Sequence, residues 1–291
     1  MLNNERAEYG KEIVSILSTQ LVEKYGKSFE LRNLRRMMQF AEQFPDMEIV
    51  LPLAAQLSWS HFIEVLKLKN DEARVFYLQK SAESAWSIRQ IRHQIERKAF
   101  ERSEIANTQL QNASEFTDTT GVFKDPYFLV FLGLKEGYLE KDLETAILRE
   151  LETFILELGA GFSFIERQKR IILDGKDFYL DLLFYHRKLK RLIAIDLKLG
   201  EFKASHKGQM ELYLKWLNRY EKQEGENPPI GLILCAEASR EQVELLEMHK
   251  DGIMVAEYWT DLPPKKEIEQ KLHSLLIEAK SRIETRKMLE E

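Results

Sequence analysis

Two short stretches, Tyr179-Leu180-Asp181-Leu182-Leu183 and Ile195-Asp196-Leu197-Lys198, decide how the second half of this chain folds. Each is an apolar run typical of a buried β-strand, and each has one aspartate inside it. Because strand side chains alternate between two faces, both acids are predicted to lie opposite a face made of core residues. A buried carboxylate is unfavourable unless a partner compensates its charge. The pattern therefore predicts two strands that hold acids at a charged site.

The two strands are predicted to pair as an antiparallel hairpin. If Lys188 and Leu189 form the loop, the numbers of paired residues add up to 377, and Asp181 lies directly opposite Asp196. Facing carboxylates repel each other, but Mg²⁺ or Mn²⁺ would bind such a pair. Lys198 would then position or deprotonate the water that attacks a phosphodiester. A slip of one residue would put the acids on opposite faces, and a solvated surface for all three residues stays open.

The bulk composition excludes several classes of protein. The chain has 291 residues, enough for two domains, and no apolar run reaches the ~20 residues that span a bilayer. Its net charge of -5 excludes a basic field over the whole molecule, so contact with nucleic acid must come from local patches. The single cysteine, Cys235, lies in an apolar run and cannot form an internal disulfide. A reducing, cytoplasmic location is therefore expected.

The first 106 residues are predicted to form an all-helical domain. Apolar residues recur there at helical spacing, and Ser58 or Ser60, Asn70 and Ser87 can cap successive helices. The short break before Ser87 is typical of a helix-turn-helix. Residues 107–124 lose the periodicity and are interpreted as a linker.

The second domain, residues 125–291, is predicted to be an α/β domain with a mixed sheet, so the fold class is α+β or mixed. One long helix is expected over residues 140–158, and glycines end it. The remaining elements alternate as strands and helices. The predicted strands cover residues 162–173, 178–185, 192–199, 230–236 and 253–257, and the predicted helices cover residues 205–220, 239–249 and 265–286.

Several motifs resemble the YhcG-type bacterial family of the PD-(D/E)XK, or restriction-endonuclease-like, nuclease superfamily. Asp181 together with Asp196-Leu197-Lys198 resembles the superfamily signature. Longer stretches that resemble the family are residues 57–61, 154–162, 177–187, 208–214 and 231–235. The resemblance implies a helical DNA-binding domain followed by a nuclease-like domain, with Mg²⁺ or Mn²⁺ as the cofactor.

The resemblance also implies roles for individual residues. Asp181 and Asp196 would bind the metal, although a glutamate is common at the second position, and Lys198 would be the catalytic lysine. Gln209 and Tyr213 are four residues apart on one helix face and resemble the helix motif that lines RecB-like sites.

Family members often supply one more acid from the first helix of the nuclease domain. Glu144, Glu150 and Glu157 all compete for this role, and the family pattern favours Glu144 as a further metal ligand. Gln168, on the first strand, is another residue that could face the site.

Candidate nucleic-acid contacts lie in the helical domain. One helix face carries Arg89, Arg92, His93 and Arg97, and a second cluster contains Arg35 and Arg36. Arginine and histidine on an exposed helix suit phosphate and groove contacts, although ordinary solvated charges would give the same pattern.

The sequence therefore predicts a Mg²⁺-dependent nuclease that acts on DNA and has no membrane partner. The alternative is a catalytically silent module that binds DNA or protein on a nuclease scaffold, as a subunit of a defence or mobile-element complex. In either case the C-terminal helix, with Leu272, Leu275 and Leu276 on one face, could dock a partner protein or a second copy of the chain.

Overall fold

The computed structural model describes residues 2–110, 119, 121–134 and 137–290. The chain divides into two compact units, Met1–Phe100 and Glu101–Glu291. The first unit is helical and the second is built on a mixed sheet, as the sequence predicts. Among the described residues, none of the helices is both long and apolar enough to cross a bilayer.

The helical unit has a single core, to which most of its helices contribute. Its centre contains Phe62, Val65, Leu78 and Ile91, all nearly inaccessible to solvent. The side chain of Asn70 accepts a hydrogen bond from the backbone N–H of Ala73 and so caps a helix, as predicted. The helices are α1 (Leu2–Tyr25), α2 (Leu31–Gln43), α3 (Met47–Ala54), α4 (Trp59–Val65), α5 (Asp71–Glu83), α6 (Ile88–Glu96) and α7 (Ala99–Leu110).

The second unit contains a six-stranded sheet with the strand order β1-β6-β5-β4-β3-β2. The three strands from β2 to β4 are antiparallel, and β4, β5, β6 and β1 run parallel. The strands are β1 (Tyr127–Phe128), β2 (Phe162–Leu173), β3 (Lys176–His186), β4 (Arg191–Leu197), β5 (Ile230–Cys235) and β6 (Ile253–Trp259). The helices are α8 (Glu140–Arg149), α9 (Leu151–Leu158), α10 (Ala204–Tyr220), α11 (Arg240–Leu245) and α12 (Lys265–Glu290).

The predicted helix over residues 140–158 is interrupted. Glu150 leaves helical geometry, with φ −106° and ψ 30°, so α8 ends before it and α9 begins after it. Leu143 of α8 and Phe154 of α9 both reach the same core cluster on the sheet. The change of direction lets the two helices follow a sheet that twists.

The predicted pairing of β3 with β4 is confirmed. Leu182 lies opposite Ile195 and His186 lies opposite Arg191, and both pairs of numbers add up to 377. Continued by one residue, this register places Asp181 opposite Asp196. The tight turn that the sequence predicts around Lys188 and Leu189 is therefore the one that forms.

The predicted alternation along β3 is wrong at one point. Leu182 and Phe184 pack against α8 and α9, as a shared face requires. Leu180, predicted to join them, packs instead with Leu183 in the cluster under α10. The alternation is interrupted at Asp181 because its neighbour across the hairpin, Gln168, has a left-handed backbone that distorts the ladder.

The helix α7 extends through the first part of the predicted linker. Residues 111–118 and 120 of that linker lie outside the described residues, whereas residues 107–110 are helical. Ile105 packs against Phe128 and Trp259, and the side-chain amide of Gln109 bonds to both the N–H and the carbonyl of Val255. The structure therefore divides at Phe100, six residues before the predicted end of the helical domain.

The apolar face of α12 does not form the free docking surface that the sequence suggested. Leu272 is 1% exposed, and Leu275 and Leu276 pack beside it against Phe128 and Trp259. The chain's own core therefore buries these leucines. The amphipathic pattern was real, but it could not reveal which surface the helix covers.

Candidate active site

Asp181 lies where β3 emerges from its pairing with β4. Its Oδ2 accepts a hydrogen bond of 2.8 Å from the backbone N–H of Leu197, and its Oδ1 accepts one of 3.1 Å from Nε2 of Gln168. Burial raises the pKa of Asp181, although these bonds and the charge of Lys198 oppose the shift. The carboxylate is therefore held at two oxygens before any ligand binds.

Gln168 joins Asp181 to a second acid. Its side-chain amide also donates a hydrogen bond of 2.9 Å to Oε2 of Glu144 on α8. The backbone of Gln168 has φ +47°, in the left-handed region, close to a bulge between Phe164 and Glu166. Such a conformation costs a non-glycine residue about 1–3 kcal/mol and is often found at functional sites. The sequence offered Gln168 as a candidate, but its strained backbone has no signature in the residue pattern.

Asp196 and Lys198 form a buried ion pair at the end of β4. Asp196 is 1% exposed, and Nζ of Lys198 lies 2.9 Å from its Oδ2. Apart from this ammonium group, no donor among the described residues reaches Oδ2. Burial raises the pKa of Asp196 to about 7; Lys198 lowers it, and the charge of Asp181 adds to the rise. The two aspartates are therefore close enough to repel each other.

Lys198 stays protonated in this arrangement. Burial alone would lower its pKa, but the negative charges of Asp196 and Glu140 outweigh burial and raise the pKa above the ordinary value of 10.5. Its Nζ also lies 3.6 Å from Oε1 of Glu140, an acid at the start of α8 that sequence analysis missed. This geometry favours the charge-stabilising role predicted for Lys198 over deprotonation of water.

The three competing glutamates have different surroundings. Glu144 faces the site, and burial together with the charge of Asp181 raises its pKa. Glu150 instead pairs with Arg149 at 3.4 Å. Glu157 is buried, bonds to Arg102 and accepts a hydrogen bond from the backbone N–H of Phe128, so it belongs to the core.

Gln209 and Tyr213, the predicted helix motif, lie on α10, and Tyr213 is close enough to Asp196, Lys198 and Asp181 to feel their charges. Nε2 of Gln209 donates to the hydroxyl of Tyr213 at 2.7 Å, and this hydroxyl donates to the backbone carbonyl of Tyr179 at 2.9 Å. Tyr213 is 1% exposed and packs in the core under α10. These residues therefore fasten α10 to β3, two residues before Asp181.

An open cleft of about 570 Å³ lies beside Asp181. Lys141 and Arg167 are exposed at its rim, and neither forms an ion pair with another described residue. Their positive charges lower the pKa of Glu144, which places both cations near that acid. The residues that line the cleft are Glu140, Lys141, Glu144, Thr145, Arg167, Gln168 and Asp181.

The donor set suits a hard divalent cation held by two carboxylates. Within the described ranges, no three histidine, cysteine or acidic side chains converge on one point, so the role of Glu144 as a further ligand beside Asp181 and Asp196 stays a prediction. Its nearest link to them is the amide of Gln168. Mg²⁺ is often held by only one or two carboxylates together with water and substrate. One ammonium group, that of Lys198, faces both aspartates, so the site retains negative charge that such an ion would balance.

The proposed nucleic-acid residues lie in the helical unit. Arg89, Arg92 and His93 are exposed on α6, and Arg97 is half-buried at its end. Arg92 is also bound to the buried Glu64 at 2.6 Å, so part of its charge is engaged within the unit. On α2, Arg35 is exposed and Arg36 is half-buried.

Comparisons with known proteins match both parts of the chain. The family model of the YhcG PDDEXK nuclease domain matches residues 120–273, and that of the DUF1016 N-terminal domain matches residues 1–102. The chain is 33% identical over 303 residues to the protein of Escherichia coli (strain K12) named "Putative nuclease YhcG". This match covers 92% of the chain and 81% of that relative.

Solved structures match a smaller part. A repair endonuclease from Pyrococcus abyssi is 25% identical with a TM-score of 0.30, and the match covers 45% of this chain and 50% of that one. The structure described as an EndoMS-dsDNA2 complex is 21% identical with a TM-score of 0.30, over 45% of this chain and 48% of that one. The chain thus spans about half the length of these solved proteins.

Proposed function

This chain belongs to the YhcG PDDEXK nuclease family and is a nuclease, and we propose that it hydrolyses phosphodiester bonds in DNA with a divalent metal ion. One observation carries the proposal. Asp196 is buried and Asp181 is half-buried, the charge of Lys198 acts on both, and burial raises the pKa values of both acids. A site that keeps unfavourable negative charge is suited to bind a cation.

Asp181 and Asp196 would hold the metal, which we take to be Mg²⁺ or Mn²⁺. When bound, the ion would polarise the scissile phosphate and make its bound water more acidic. Gln168 and the backbone N–H of Leu197 orient Asp181, so its geometry does not depend on the ligand. Glu144, linked by the same amide, remains beside the ion as an acceptor for water.

Lys198 would act through its charge. Its ammonium group lies between Asp196 and Glu140 and keeps its proton at neutral pH. It can therefore donate a hydrogen bond to the attacking water or to a phosphate oxygen, where negative charge grows in the transition state. It cannot serve as the base while those two acids surround it.

The first test compares cleavage of plasmid and single-stranded DNA by matched variants. Asp181→Asn and Lys198→Met should each lower Mg²⁺-dependent cleavage by at least about a hundredfold, because each removes a charge from the reacting centre. Asp174→Asn is the control, since it makes the same charge change in the exposed turn of the β2–β3 hairpin. Cleavage that survives both site variants would contradict the proposal. Metal-independent binding without cleavage by the wild type would instead support a catalytically silent module.

The helical unit would hold the DNA. α5 and α6 are joined by residues 84–87, and α6 exposes Arg89 and His93, as a recognition helix in a helix-turn-helix would. We expect the double variant Arg35→Ala/Arg89→Ala to weaken DNA binding and to reduce its salt dependence, because phosphate contacts release counterions. Lys69→Ala, which removes one exposed charge in the same unit, is the control. Equal binding by all three proteins would rule out these residues as the contact surface.

A further inference from the structure

The β2–β3 hairpin extends past the end of β4 on the side of the active site. Residues of β3 pair with β4 only as far as Leu182, but they pair with β2 as far as Lys176. Because β4 continues to Leu197, opposite Leu180, the hairpin projects past it by residues 176–179 of β3, or about 13 Å. We call residues 168–181 the arm.

The inner face of the arm packs on α10. Ile171 and Leu180 are fully buried there, and Phe178 packs against the same cluster. Two bonds fasten this face: the hydroxyl of Tyr213 donates to the carbonyl of Tyr179, and Lys169 pairs with Glu221 at 2.9 Å. The arm is thus a fixed platform on α10.

The outer face of the arm is open. Tyr179 is 48% exposed and Ile172 is 54% exposed, which is unusual for large apolar side chains next to a buried acid. Arg170 lies opposite Tyr179 in the ladder, and two hydrogen bonds of 3.0 Å to Asp177 hold its guanidinium. The outer face therefore presents an aromatic ring, an aliphatic side chain and a planar cation side by side.

This face is continuous with the active-site cleft. Leu180 is buried on the inner face, so its neighbour Tyr179 points outward, and Asp181 lines the cleft itself. Two residues of strand separate them by about 7 Å, which is close to the spacing of successive nucleotides in an extended strand. The unpaired cations Lys141 and Arg167 lie at the cleft rim beside Asp181.

The charges favour a single strand over a duplex. The arm itself carries three basic and three acidic residues, so it has no surplus charge to attract phosphates along both of its edges. Lys141 and Arg167 lie together at the cleft rim, where one backbone could pass. An exposed aromatic side chain can stack on the face of an unpaired base, whereas neighbouring pairs cover that face in a duplex.

We propose that the outer face of the arm binds an unpaired DNA strand, with Tyr179 stacked on a base next to the scissile phosphate and with Arg167 and Lys141 on the backbone. The inference rests on the proposed function and adds a substrate class to it, namely DNA with a single-stranded segment. Tyr179 selects and positions that strand through a base, and the metal-binding acids act on its phosphate.

The test measures binding without cleavage. Full-length protein in EDTA is titrated into a fluorescent single-stranded oligonucleotide and into a duplex of the same sequence. Tyr179→Ala should weaken single-strand binding about 5- to 100-fold, as expected for one lost stacking contact, and should leave duplex binding unchanged. Tyr179→Phe keeps the ring and should bind like the wild type. Tyr220→Ala removes a tyrosine of similar exposure from α10 and is the control.

A second measurement places the base. An oligonucleotide with one 2-aminopurine should lose fluorescence on binding to the wild type and to Tyr179→Phe but not to Tyr179→Ala, because stacking quenches that base. Arg167→Ala should lower the salt dependence of single-strand binding by about one phosphate contact. Melting temperatures of all variants establish that they fold, which the exposed positions of both side chains lead us to expect.

The outcomes separate this inference from the proposed function. If Tyr179→Ala binds single strands as tightly as the wild type, or loses duplex binding to the same extent, the arm does not bind an unpaired strand through Tyr179, even when DNA is cleaved. If Tyr179-dependent binding is present but no DNA is cleaved with Mg²⁺ or Mn²⁺, the platform stands and the hydrolytic function fails.

Discussion

Replacement of Asp196 by asparagine should stabilise the metal-free protein at alkaline pH. Asp196 is almost completely buried, and burial raises its pKa from 3.8 to about 7. At pH values between 3.8 and about 7, Asp196 still holds a proton in the folded state but has released it in the unfolded state. The free energy of unfolding therefore falls as the pH rises through this window, and it stays low above pH 7.

The size of the effect follows from the shift. About three pKa units correspond to about 4 kcal/mol of lost stability above pH 7, and Asp196→Asn removes this loss. The variant also leaves the half-buried Lys198 with Glu140 as its remaining partner, at 3.6 Å. We expect the loss of the Asp196 charge beside Lys198 to lower the stability by about 1–2 kcal/mol. The net expectation is a gain of about 2–3 kcal/mol near pH 8 and a much smaller difference near pH 5.

Scanning calorimetry with and without Mg²⁺ provides the assay. The transition that Mg²⁺ shifts in the wild type identifies the nuclease unit, because a ligand stabilises only the unit that binds it. In EDTA near pH 8, Asp196→Asn should melt several degrees higher than the wild type, and Mg²⁺ should no longer shift it. An unchanged or lower melting temperature at that pH would refute the idea that Asp196 is an uncompensated buried charge.

Three further predictions concern the neighbours of Asp196. Gln168→Gly relieves the strain of the left-handed backbone but removes the amide that joins Glu144 to Asp181. We expect an equal or higher melting temperature together with at least tenfold slower cleavage, and slower cleavage that is accompanied by unfolding would contradict this. Glu144→Gln should slow cleavage and raise the Mg²⁺ concentration needed for the half-maximal rate, whereas Glu150→Gln should do neither. If the two variants have equal effects, Glu144 does not belong to the site. Neighbouring acids raise the pKa of Lys198, so deprotonation of Lys198 should not lower the cleavage rate below about pH 10. A cleavage rate that falls near pH 8 in the wild type but not in Lys198→Arg would contradict the assigned charge.

The pairing of the two acidic strands could be predicted because it depends on local information. A short turn around Lys188 and Leu189 fixes which residues face each other, and a hairpin has few alternative registers once its loop is known. The apolar runs on either side then exclude a slip of one residue, which would expose the core face. Asp181 and Asp196 were therefore identified as neighbours from the sequence.

The distortion beside Asp181 could not be predicted in the same way. Alternation assumes a regular ladder, and it fails where Gln168 adopts φ +47° and Leu180 turns to the α10 face. Glutamine has no special preference for this region, so nothing in the residue type announces it. Partners distant in sequence stabilise the conformation, namely Glu144 on a helix and Asp181 on the facing strand.

The choice among the helix glutamates also depended on distant partners. Glu144 and Glu157 both lie on faces that turn toward the sheet, and periodicity alone treats them alike. Arg102, from a helix more than fifty residues earlier, takes Glu157 into the core, and Gln168 brings Glu144 to the cleft. Residue spacing therefore gave the candidates, and only tertiary contacts separated an acid in the core from an acid at the cleft.

A comparison of two buried acids shows how the surroundings of Asp196 differ from those of a compensated carboxylate. Glu64 in the helical unit is 6% exposed and has both Arg92 and Lys67 at 2.6 Å, and these partners lower its pKa to about 2. Asp196 is buried to a similar degree beside one lysine, but Asp181 adds a negative charge and its pKa rises to about 7. The two sites differ by the positive charge that the second one lacks. An arginine at this position would compensate the charge, as at Glu64, and its absence supports the proposal that Asp181 and Asp196 bind a metal ion.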